Sequence, residues 1–389
     1  MPRKPSGSLF LFADRLPPLV GGMETHAAHF MRFFRRHERY PLRGIVTKDA
    51  CGRDVLLDAA GAPAARESLA DVVAEVTGAS DGKPVRQVLF FNSGRWIEAL
   101  PEIRGRLPRA VLCQRTGGNE VIQARLDDMT GSHAARQVIW ARTINRHLSL
   151  LVSNSRFTDA RLCAAGIDQS RIERVSGGVD SAAAARAIAA RATLRARWFG
   201  ALSDRPVVVV ASRHELFKGI DTAIRAVALA RTRADVTLVC AGDGSLRGEH
   251  ERLAADLLGP SSFLFLGPLS PDESLEVISA ANVVCALSRD QVRSVPGGRY
   301  IHTETMGRTV LEALCTGVPV VASRAGALPE FVPLHLGLLV PTDDSAAAAS
   351  AIVSALEWAP PSPADAAAQR AVHDWTSVFT TYVRLWDQL

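Results

Sequence analysis

The sequence predicts an α/β protein built from two doubly wound units, each a parallel sheet with helices on both faces. Two observations support this prediction. Short apolar segments of strand length alternate with longer helical segments along the chain, which is typical of parallel sheets with crossover helices. The length of 389 residues also exceeds what one core ordinarily organises and favours two domains of about 150–200 residues each.

The first half contains five apolar segments of strand length and four segments with helical character. Ser155 is a suitable N-cap for the last of these helices, and Gly166 is its stop. The predicted strands are 8–13, 42–47, 87–91, 110–114 and 149–153, and the predicted helices are 23–36, 68–76, 133–147 and 155–165.

A second series begins after an Ala- and Arg-rich helical stretch, 181–198, and the turn Gly177 to Asp180 marks the end of the first unit. A breaker segment at 359–364 precedes a predicted terminal helix, 366–389, in which Trp375, Phe379 and Trp386 recur on one face. The predicted strands of this series are 207–212, 236–242, 262–266, 283–287 and 318–323, and the helices are 220–230, 248–258, 271–280 and 309–315.

These elements predict three parts. Residues 1–178 are expected to form an N-terminal Rossmann-like domain, and residues 179–365 a C-terminal one. Residues 366–389 form a helix that packs back on the N-terminal domain.

Composition excludes several classes of protein. Six scattered cysteines without a C-x-x-C pair indicate buried thiols in a reducing compartment rather than disulfides or a zinc site. No apolar run approaches the ~18 residues of a membrane span, so a cytoplasmic protein is expected. The net charge is +5, with a basic cluster at 32–39, but no nucleic-acid-binding motif accompanies it. This cluster is read as a solvated helix end, and peripheral contact with an anionic membrane is not favoured.

The most informative motif lies between residues 302 and 323. Glu304 and Glu312 stand eight positions apart with Gly307 between them, and a helical run then ends at Gly317. Backbone N–H groups at the start of this helix form a seat for phosphate oxygens. Two carboxylates around an anion seat suit a diphosphate ligand with hydroxyl groups at both ends, such as a nucleotide sugar. The alternative is that Glu312 only complements the helix dipole.

Two segments at strand ends support this interpretation. Gly21 and Gly22 follow the first strand and allow the backbone to approach a ligand closely, or else serve a turn that needs positive φ. Arg213 and Lys218 follow the first strand of the second unit, where open α/β sheets bind ligands. Their charges would neutralise a diphosphate without a metal, the alternative being a solvated charged loop.

Other cofactor motifs are missing from the sequence. The segment from Gly242 to Arg247 places Arg247 where the third glycine of G-x-G-x-x-G belongs, which weakens an NAD-dependent interpretation. The chain has no Walker A loop, H-E-x-x-H, G-x-S-x-G or cysteine-based metal pattern.

Together these residues resemble the retaining glycosyltransferases of family 4, which have the GT-B fold of two Rossmann-like, doubly wound parallel-sheet domains facing a central cleft. The resemblance covers nearly the whole chain and is strongest over residues 207–331. The residues that carry it are Arg213, Lys218, the turn Gly242–Asp243–Gly244, Glu304, Gly307, Glu312, Gly317 and Glu330.

The resemblance implies that Glu312 holds the ribose hydroxyls and that Glu304 contacts the donor sugar. Arg213 and Lys218 would grip the diphosphate and, with Glu304, form the catalytic set. It implies a UDP-sugar donor, UDP-GlcNAc above others, and no required cofactor or metal. The further donor-binding residues are Gly21, Gly22, Leu266, Gly267, Met306, Gly307, Arg308 and Thr309.

The chain departs from the family pattern in two places. Residues 289–302 are inserted before the first glutamate, and the N-terminal domain has Arg115 and a Gly-Gly-Asn loop where many relatives place a histidine. Both features are similar to family members that glycosylate small aminocyclitol natural products, which would imply antibiotic biosynthesis. The acceptor-side candidates are His26, Arg115, Asn119 and Glu120.

The sequence therefore predicts a retaining, metal-independent transferase that moves a hexose or N-acetylhexosamine to a small-molecule acceptor. The partners expected are these two small molecules and no nucleic acid, with a monomer or a homodimer. The alternatives are a lipid or polysaccharide acceptor, a nucleotide-sugar epimerase of the same fold, and a non-enzymatic nucleotide-sugar- or glycan-binding protein.

Overall fold

The computed structural model describes residues 7–17, 21–49, 52–62, 86–116, 132–295, 298–358 and 361–389. These residues divide into two compact units. Unit 1 comprises Met1–Ser176, Ser294–Tyr300 and Val378–Leu389, and unit 2 comprises Gly177–Arg293 and Ile301–Ser377. The predicted helix 68–76 lies outside the described residues.

Unit 1 contains a seven-stranded sheet in the order β3-β2-β1-β4-β5-β6-β7. Every neighbouring pair is parallel except β2 and β3, which are antiparallel. The chain adds β2 and β3 on one side of β1 and then crosses to add β4 on the other, so a topological switch point lies between β1 and β4. The strands are β1 Ser8–Phe12, β2 Leu42–Lys48, β3 Asp54–Asp58, β4 Gln87–Phe91, β5 Val111–Arg115, β6 Leu150–Ser153 and β7 Ile172–Arg174.

The inner strands β1, β5 and β6 are buried along their whole length because helices cover both faces of a parallel sheet. One face packs Phe12, Leu89, Trp96 and Ile144 into a buried core. The helices are α1 Gly22–Phe34, α2 Leu100–Arg106, α3 Ser132–His147 and α4 Arg156–Ala164, with 3₁₀ turns at Gly94–Ala99 and Gln169–Arg171.

Unit 2 contains a six-stranded sheet in the order β10-β9-β8-β11-β14-β15, and all of its pairs are parallel. Its switch point lies between β8 and β11, since β9 and β10 are added on the opposite side of β8. The strands are β8 Val207–Ala211, β9 Thr237–Ala241, β10 Phe263–Gly267, β11 Val283–Ala286, β14 Val320–Ser323 and β15 Gly337–Val340. The inserted residues form a separate two-stranded sheet of β12 Gln291–Val295 and β13 Gly298–His302.

Helices cover both faces of this second sheet, and each face has its own buried core. Two 3₁₀ turns lie at Gly200–Leu202 and Leu216–Lys218. The helices are α5 Ser181–Ala189, α6 Arg191–Phe199, α7 Ile220–Ala230, α8 Arg247–Leu258, α9 Pro271–Ala280, α10 Arg308–Cys315, α11 Leu328–Phe331, α12 Ser345–Glu357 and α13 Pro363–His373. The last helix, α14 Trp375–Gln388, belongs to unit 1 from Val378 onward.

Two predicted helices are each divided in the structure. The stretch 181–198 breaks at Ala190, which forms α5 and α6. The terminal stretch 366–389 breaks at Asp374, whose extended backbone bridges to Val179 and separates α13 from α14. The aromatic stripe is real, and Phe379, Tyr382 and Trp386 are fully buried. A helical period identifies such a stripe but not a one-residue break within it.

Strand boundaries differ from prediction by one or two residues at the ends.

Among the described residues, no helix combines the length and the apolar composition that crossing a bilayer requires.

Candidate active site

The loops after four parallel strands of unit 2 open at the same edge of its sheet. β8, β9, β10 and β11 end at Ala211, Ala241, Gly267 and Ala286. In open α/β sheets the crevice outside the carboxyl ends, next to the switch point, is where ligands bind. The residues that follow β8 and β11 therefore lie beside the expected ligand crevice.

Arg213 and Lys218 both lie near one aromatic ring. The ring belongs to Phe217, which is buried, with the Arg213 guanidinium carbon 5.8 Å and Lys218 Nζ 5.0 Å from its centroid. A cation near an aromatic face is attracted by the ring quadrupole. Phe217 thus holds both positive charges next to each other after β8.

Lys218 meets Glu304, a residue 86 positions later in the chain. Lys218 Nζ lies 2.5 Å from Glu304 Oε2, and the Ser288 hydroxyl donates to the same oxygen at 3.1 Å. Burial by itself would raise the pKa of Glu304, but the charge and hydrogen bond of Lys218, together with Ser288, outweigh it and hold that pKa below its usual value. Glu304 is therefore a carboxylate, and a cation and an anion stand paired at the switch point.

Helix α10 begins beside this pair. Gly307 is its N-cap with φ 84°, and a Cβ at this position would lie 2.5 Å from Leu328 Cδ2, so glycine is required there. The Thr309 hydroxyl donates to the carbonyl oxygen of Ala211 at 2.8 Å, which ties the helix start to the end of β8. The N-terminus of α10 thus lies next to the end of β8, at the carboxyl edge.

Glu312 is buried inside α10. Its Oε1 accepts a hydrogen bond from Arg308 Nη2 at 2.6 Å, one turn earlier in the helix. A buried carboxylate with a charged partner that is partly exposed can exchange that partner for ligand hydroxyls. The structure therefore brings Arg213, Lys218 and Glu304 together and places Glu312 on the adjacent helix.

Other predicted donor residues lie elsewhere in unit 2. The Met306 sulfur accepts from the Gly177 N–H at 3.0 Å, and the side chain is buried in a cluster with Val179 and Leu311. Leu266 and Gly267 end β10, where the Gly267 carbonyl accepts from the Gly242 N–H at 2.7 Å.

Gly21 and Gly22 begin α1 in unit 1. Gly21 is the N-cap with an extended backbone, φ 169°, and Gly22 is the first helical residue. A side chain at position 21 would collide with Glu24, which pairs with Arg15 at 2.7 Å. The glycine at 21 therefore serves a close approach and not a turn with positive φ.

Two of the acceptor-side candidates are buried in unit 1. His26 is stacked against Phe90 and lies 3.3 Å from the Tyr382 hydroxyl. Burial, followed by the charges of Arg115 and His29, lowers the pKa of His26 well below its usual value. Arg115 is the last residue of β5. Asn119 and Glu120 lie outside the described residues.

Three histidines of unit 2 were not singled out from the sequence. His214 and His250 face each other with their Nδ1 atoms 3.0 Å apart, and burial, followed by the charge of His250, lowers the pKa of His214 to about 4. The His302 ring lies 3.9 Å from the Phe217 ring, and burial, then Arg293 and Lys218, lower its pKa to about 4. Two of the three lie in segments that the sequence analysis marked, His214 between Arg213 and Lys218 and His302 at the start of the motif at 302–323.

Within the described part of the chain, no group of three or more His, Cys, Asp or Glu residues is arranged to hold a metal ion. Two side-chain cations, Arg213 and Lys218, lie at this edge.

Comparisons with known proteins show similarity to glycosyltransferases. Residues 195–370 match the family model of glycosyl transferases group 1. A mannosyltransferase of Mycolicibacterium smegmatis, described as GDP-mannose-dependent alpha-(1-6)-phosphatidylinositol monomannoside mannosyltransferase, is 28% identical over 330 residues, or 83% of this chain and 82% of that protein. A D-inositol 3-phosphate glycosyltransferase of Acidothermus cellulolyticus is 34% identical over 230 residues, which are 56% of this chain and 48% of that protein.

Solved structures show the same fold. The Anabaena protein Alr3699/HepE, crystallised with UDP and glucose, superposes with a TM-score of 0.69 at 18% identity and covers 98% of this chain and 100% of its own. These findings establish the GT-B fold for the chain and support a glycosyltransferase whose residues 195–370 carry the group 1 sequence pattern.

Proposed function

We propose that this protein is a retaining, metal-independent glycosyltransferase that moves a hexosyl group from a nucleoside-diphosphate sugar to a small polyol acceptor. The observation that carries the proposal is the Lys218–Glu304 pair beside the start of α10. The pair places a cation for the diphosphate and a carboxylate for the sugar hydroxyls at one strand edge. Glu312, one helix turn away, is available for the ribose.

The donor would replace contacts that now lie within the protein. Its diphosphate would form ion pairs with Lys218 and Arg213. Its sugar hydroxyls would donate hydrogen bonds to the Glu304 carboxylate, whose charge Lys218 now neutralises. Preorganised donors of this kind contribute about 2.7–4 kcal/mol each to stabilising charge that develops in a transition state. The N–H groups at the start of α10 add to the same field.

The reaction breaks the bond between the anomeric carbon and the β-phosphate oxygen. A bond from the acceptor oxygen forms on the same face of the sugar, and the acceptor proton passes to the departing phosphate oxygen. The nucleoside diphosphate leaves with that proton, so no side-chain nucleophile or base is needed. Arg213 and Lys218 stabilise the charge that grows on the leaving group.

The names of the two relatives suggest a donor and an acceptor class for this proposal. The Mycolicibacterium protein, matched over 83% of this chain, is named for GDP-mannose, and both reported relatives are named for inositol-containing acceptors. We therefore propose GDP-mannose as the donor and a cyclitol as the acceptor class. UDP-GlcNAc, the donor implied by the sequence resemblance, and an aminocyclitol acceptor are the competing choices.

The test is a donor panel of GDP-mannose, UDP-GlcNAc, UDP-glucose and UDP-galactose in thermal-shift and turnover assays. A true donor at about 100 times its dissociation constant stabilises the protein by ~2.7 kcal/mol. Turnover with an inositol acceptor should continue in EDTA, and NMR of the product should show the anomeric configuration of the donor. An inverted product, or full loss of turnover in EDTA, would contradict the mechanism.

The same assays distinguish the alternatives. An epimerase would change the sugar with donor alone, without any acceptor. A binding protein would be stabilised by the donor but release no nucleoside diphosphate.

A further inference from the structure

Three consecutive residues after β11 make contacts that converge on the Lys218–Glu304 pair. The first, Ser288, donates a hydrogen bond to Glu304 Oε2 at 3.1 Å. The third, Asp290, accepts a hydrogen bond at Oδ1 from the hydroxyl of Thr303, the residue before Glu304, at 2.5 Å. These two residues therefore hold the carboxylate side of the pair.

The middle residue of this run, Arg289, holds the lysine side. Its backbone N–H donates to the carbonyl oxygen of Phe217 at 2.8 Å. Its guanidinium Nη2 donates to Asp221 Oδ1 at 2.5 Å and to the Thr222 hydroxyl at 2.8 Å, both in the first turn of α7. Helix α7 follows Lys218 almost directly in the chain. Arg289 thus fixes the backbone before the lysine and the helix after it.

A second carboxylate, Asp343, also contacts this guanidinium. Asp343 Oδ1 lies 2.8 Å from Arg289 Nε, in the segment between β15 and α12. Asp343 has φ 59° and is the only non-glycine residue with positive φ in the described part of the chain. Aspartate tolerates this conformation better than most side chains, and residues held in it cluster at functional sites. A glycine here would avoid the strain but would leave Arg289 without this contact.

The surroundings of Arg289 favour one fixed orientation of its side chain. The side chain is 16% exposed, whereas those of Asp221 and Asp343 are 33% and 55% exposed. Ion pairs with partners this exposed contribute little to stability because water screens them. A planar guanidinium that contacts two carboxylates and a hydroxyl is nevertheless restricted in direction. The effect of the arrangement is therefore on geometry more than on stability.

We propose that Arg289 is a positioning residue that keeps Lys218 Nζ and the Glu304 carboxylate at contact distance. It acts through the backbone of Phe217 and the first turn of α7. The inference rests on the proposed function, since it explains how the site of that reaction keeps its geometry. Small misplacements of reacting groups lower rates strongly, so a residue that orders the pair affects turnover without touching the donor.

The first test measures the coupling between Lys218 and Glu304 without any ligand. Urea unfolding of the wild type, Lys218→Ala, Glu304→Gln and the double variant gives the coupling free energy of the pair. The same cycle is then repeated in an Arg289→Met background, which keeps the apolar stem of the side chain and removes its donors. The coupling should fall by about half or more, because the two side chains are no longer held in register.

Two milder variants extend this test. Arg289→Lys should restore part of the coupling, since an ammonium group supplies the charge but not the planar fork. Asp343→Asn removes one of the two carboxylates and keeps a residue type that tolerates positive φ. It should reduce the coupling by less than Arg289→Met does.

Arg195 offers a matched control at the opposite edge of the same two strands. Its guanidinium donates to the carbonyl oxygens of Ala280 and Arg205, which precede β11 and β8, at 2.7 and 3.0 Å. Arg195→Met therefore removes hydrogen bonds at the amino ends of these strands. This variant should lose stability but leave the coupling between Lys218 and Glu304 unchanged.

The second test measures turnover. Arg289→Met should lower kcat by about tenfold and change the donor KM by less than about twofold, because positioning matters most in the transition state. In a Lys218→Ala background the same substitution should change kcat little, since no placed cation is left to lose. Arg195→Met should leave kcat unchanged in both backgrounds.

Two results would each overturn the inference. One is a coupling between Lys218 and Glu304 that is the same with and without Arg289→Met. The other is a pair of kcat losses, from Arg289→Met and Lys218→Ala, that add in full. A chain that turns over no nucleotide sugar disproves the proposed function instead, and the unfolding cycles still decide whether Arg289 positions the pair.

Discussion

At the scale of single residues, the site depends on charges that balance each other before any ligand is bound. Lys218 and Glu304 form a contact of 2.5 Å, and the pKa of Glu304 is lowered mainly because Lys218 outweighs the effect of burial. Phe217 keeps Arg213 and Lys218 near one another. The ion pair thus holds a cation and an anion in position before a ligand binds, although removing both charges from water is unfavourable in free energy.

Lys218→Ala should reduce kcat by about 10²–10³, because it removes one charged donor from the leaving diphosphate. Glu304→Gln should also lower turnover, since the amide keeps the size of the side chain but not the charge. The double variant should lose less than the sum of the two single losses in free energy, because the residues contact each other. Steady-state kinetics of the wild type, the two single variants and the double variant gives the coupling free energy between Lys218 and Glu304.

The control for this prediction is Lys48→Ala. Lys48 forms an ion pair with Asp54 at 2.8 Å in unit 1, with exposure similar to that of the Lys218 pair. The Lys48→Ala variant should therefore lose a comparable amount of stability and keep its turnover. Equal kinetic losses in both lysine variants would show that Lys218 acts through stability alone.

At the scale of elements, glycines allow the site loops to pack against one another. Gly219 has φ 62°, and a Cβ there would collide with the carbonyl oxygen of Leu287, after β11. Gly242 is similarly close to the carbonyl of Ser212, after β8. The backbones of successive strand ends thus touch where a side chain would hold them apart. This contact is what brings Lys218 toward the residues that follow β11.

Gly219→Ala should destabilise the protein by more than Gly52→Ala. Both positions have positive φ, which costs an alanine about 1–2 kcal/mol, but a Cβ at Gly52 meets nothing within 4 Å. The difference between the two variants is therefore the steric effect at the Leu287 carbonyl. Urea unfolding measures it, and donor binding should weaken only in Gly219→Ala. Equal losses in the two variants would mean that the loops move apart freely.

At the scale of the whole molecule, both units hold histidines whose pKa is lowered by burial. His26 is buried in unit 1 and His214 in unit 2, and His302 of unit 2 is half-buried. Burial is the first cause of the lowered pKa in all three. In the unfolded chain they would titrate near the ordinary value of 6.5.

These shifts predict acid sensitivity. Because the pKa is lower in the folded state, the unfolded state binds more protons below pH 6.5. The stabilisation is thus fully present above about pH 6.5 and is lost as the pH falls toward 4, by up to about 3 kcal/mol for His214. Urea unfolding from pH 7.5 to 4.5 measures this slope, which should be shallower in His214→Asn. His335→Asn, at an exposed histidine, should leave it unchanged.

The sequence was most informative where a local rule applies. Apolar strands alternating with helices predicted both parallel sheets, and caps such as Ser155 and stops such as Gly166 fixed helix ends. The segments around Arg213 and Glu304 pointed to the same strand edge because parallel strands share one carboxyl edge. It missed the strands β3, β7, β12, β13 and β15 and the break at Asp374, because short strands and single-residue breaks depend on pairing with other parts of the chain.

By itself, the sequence determined the fold class, the parallel sheets and the residue types of the donor site, because periodicity, caps and strand-end position are local properties. Only the tertiary structure decided that Lys218 pairs with Glu304, that Met306 is packed in the core, and that Arg115 is buried without a carboxylate in the described residues. Such facts depend on which distant groups share a low-dielectric interior. Burial sets the energetic weight of a charge, and burial is a property of the folded chain.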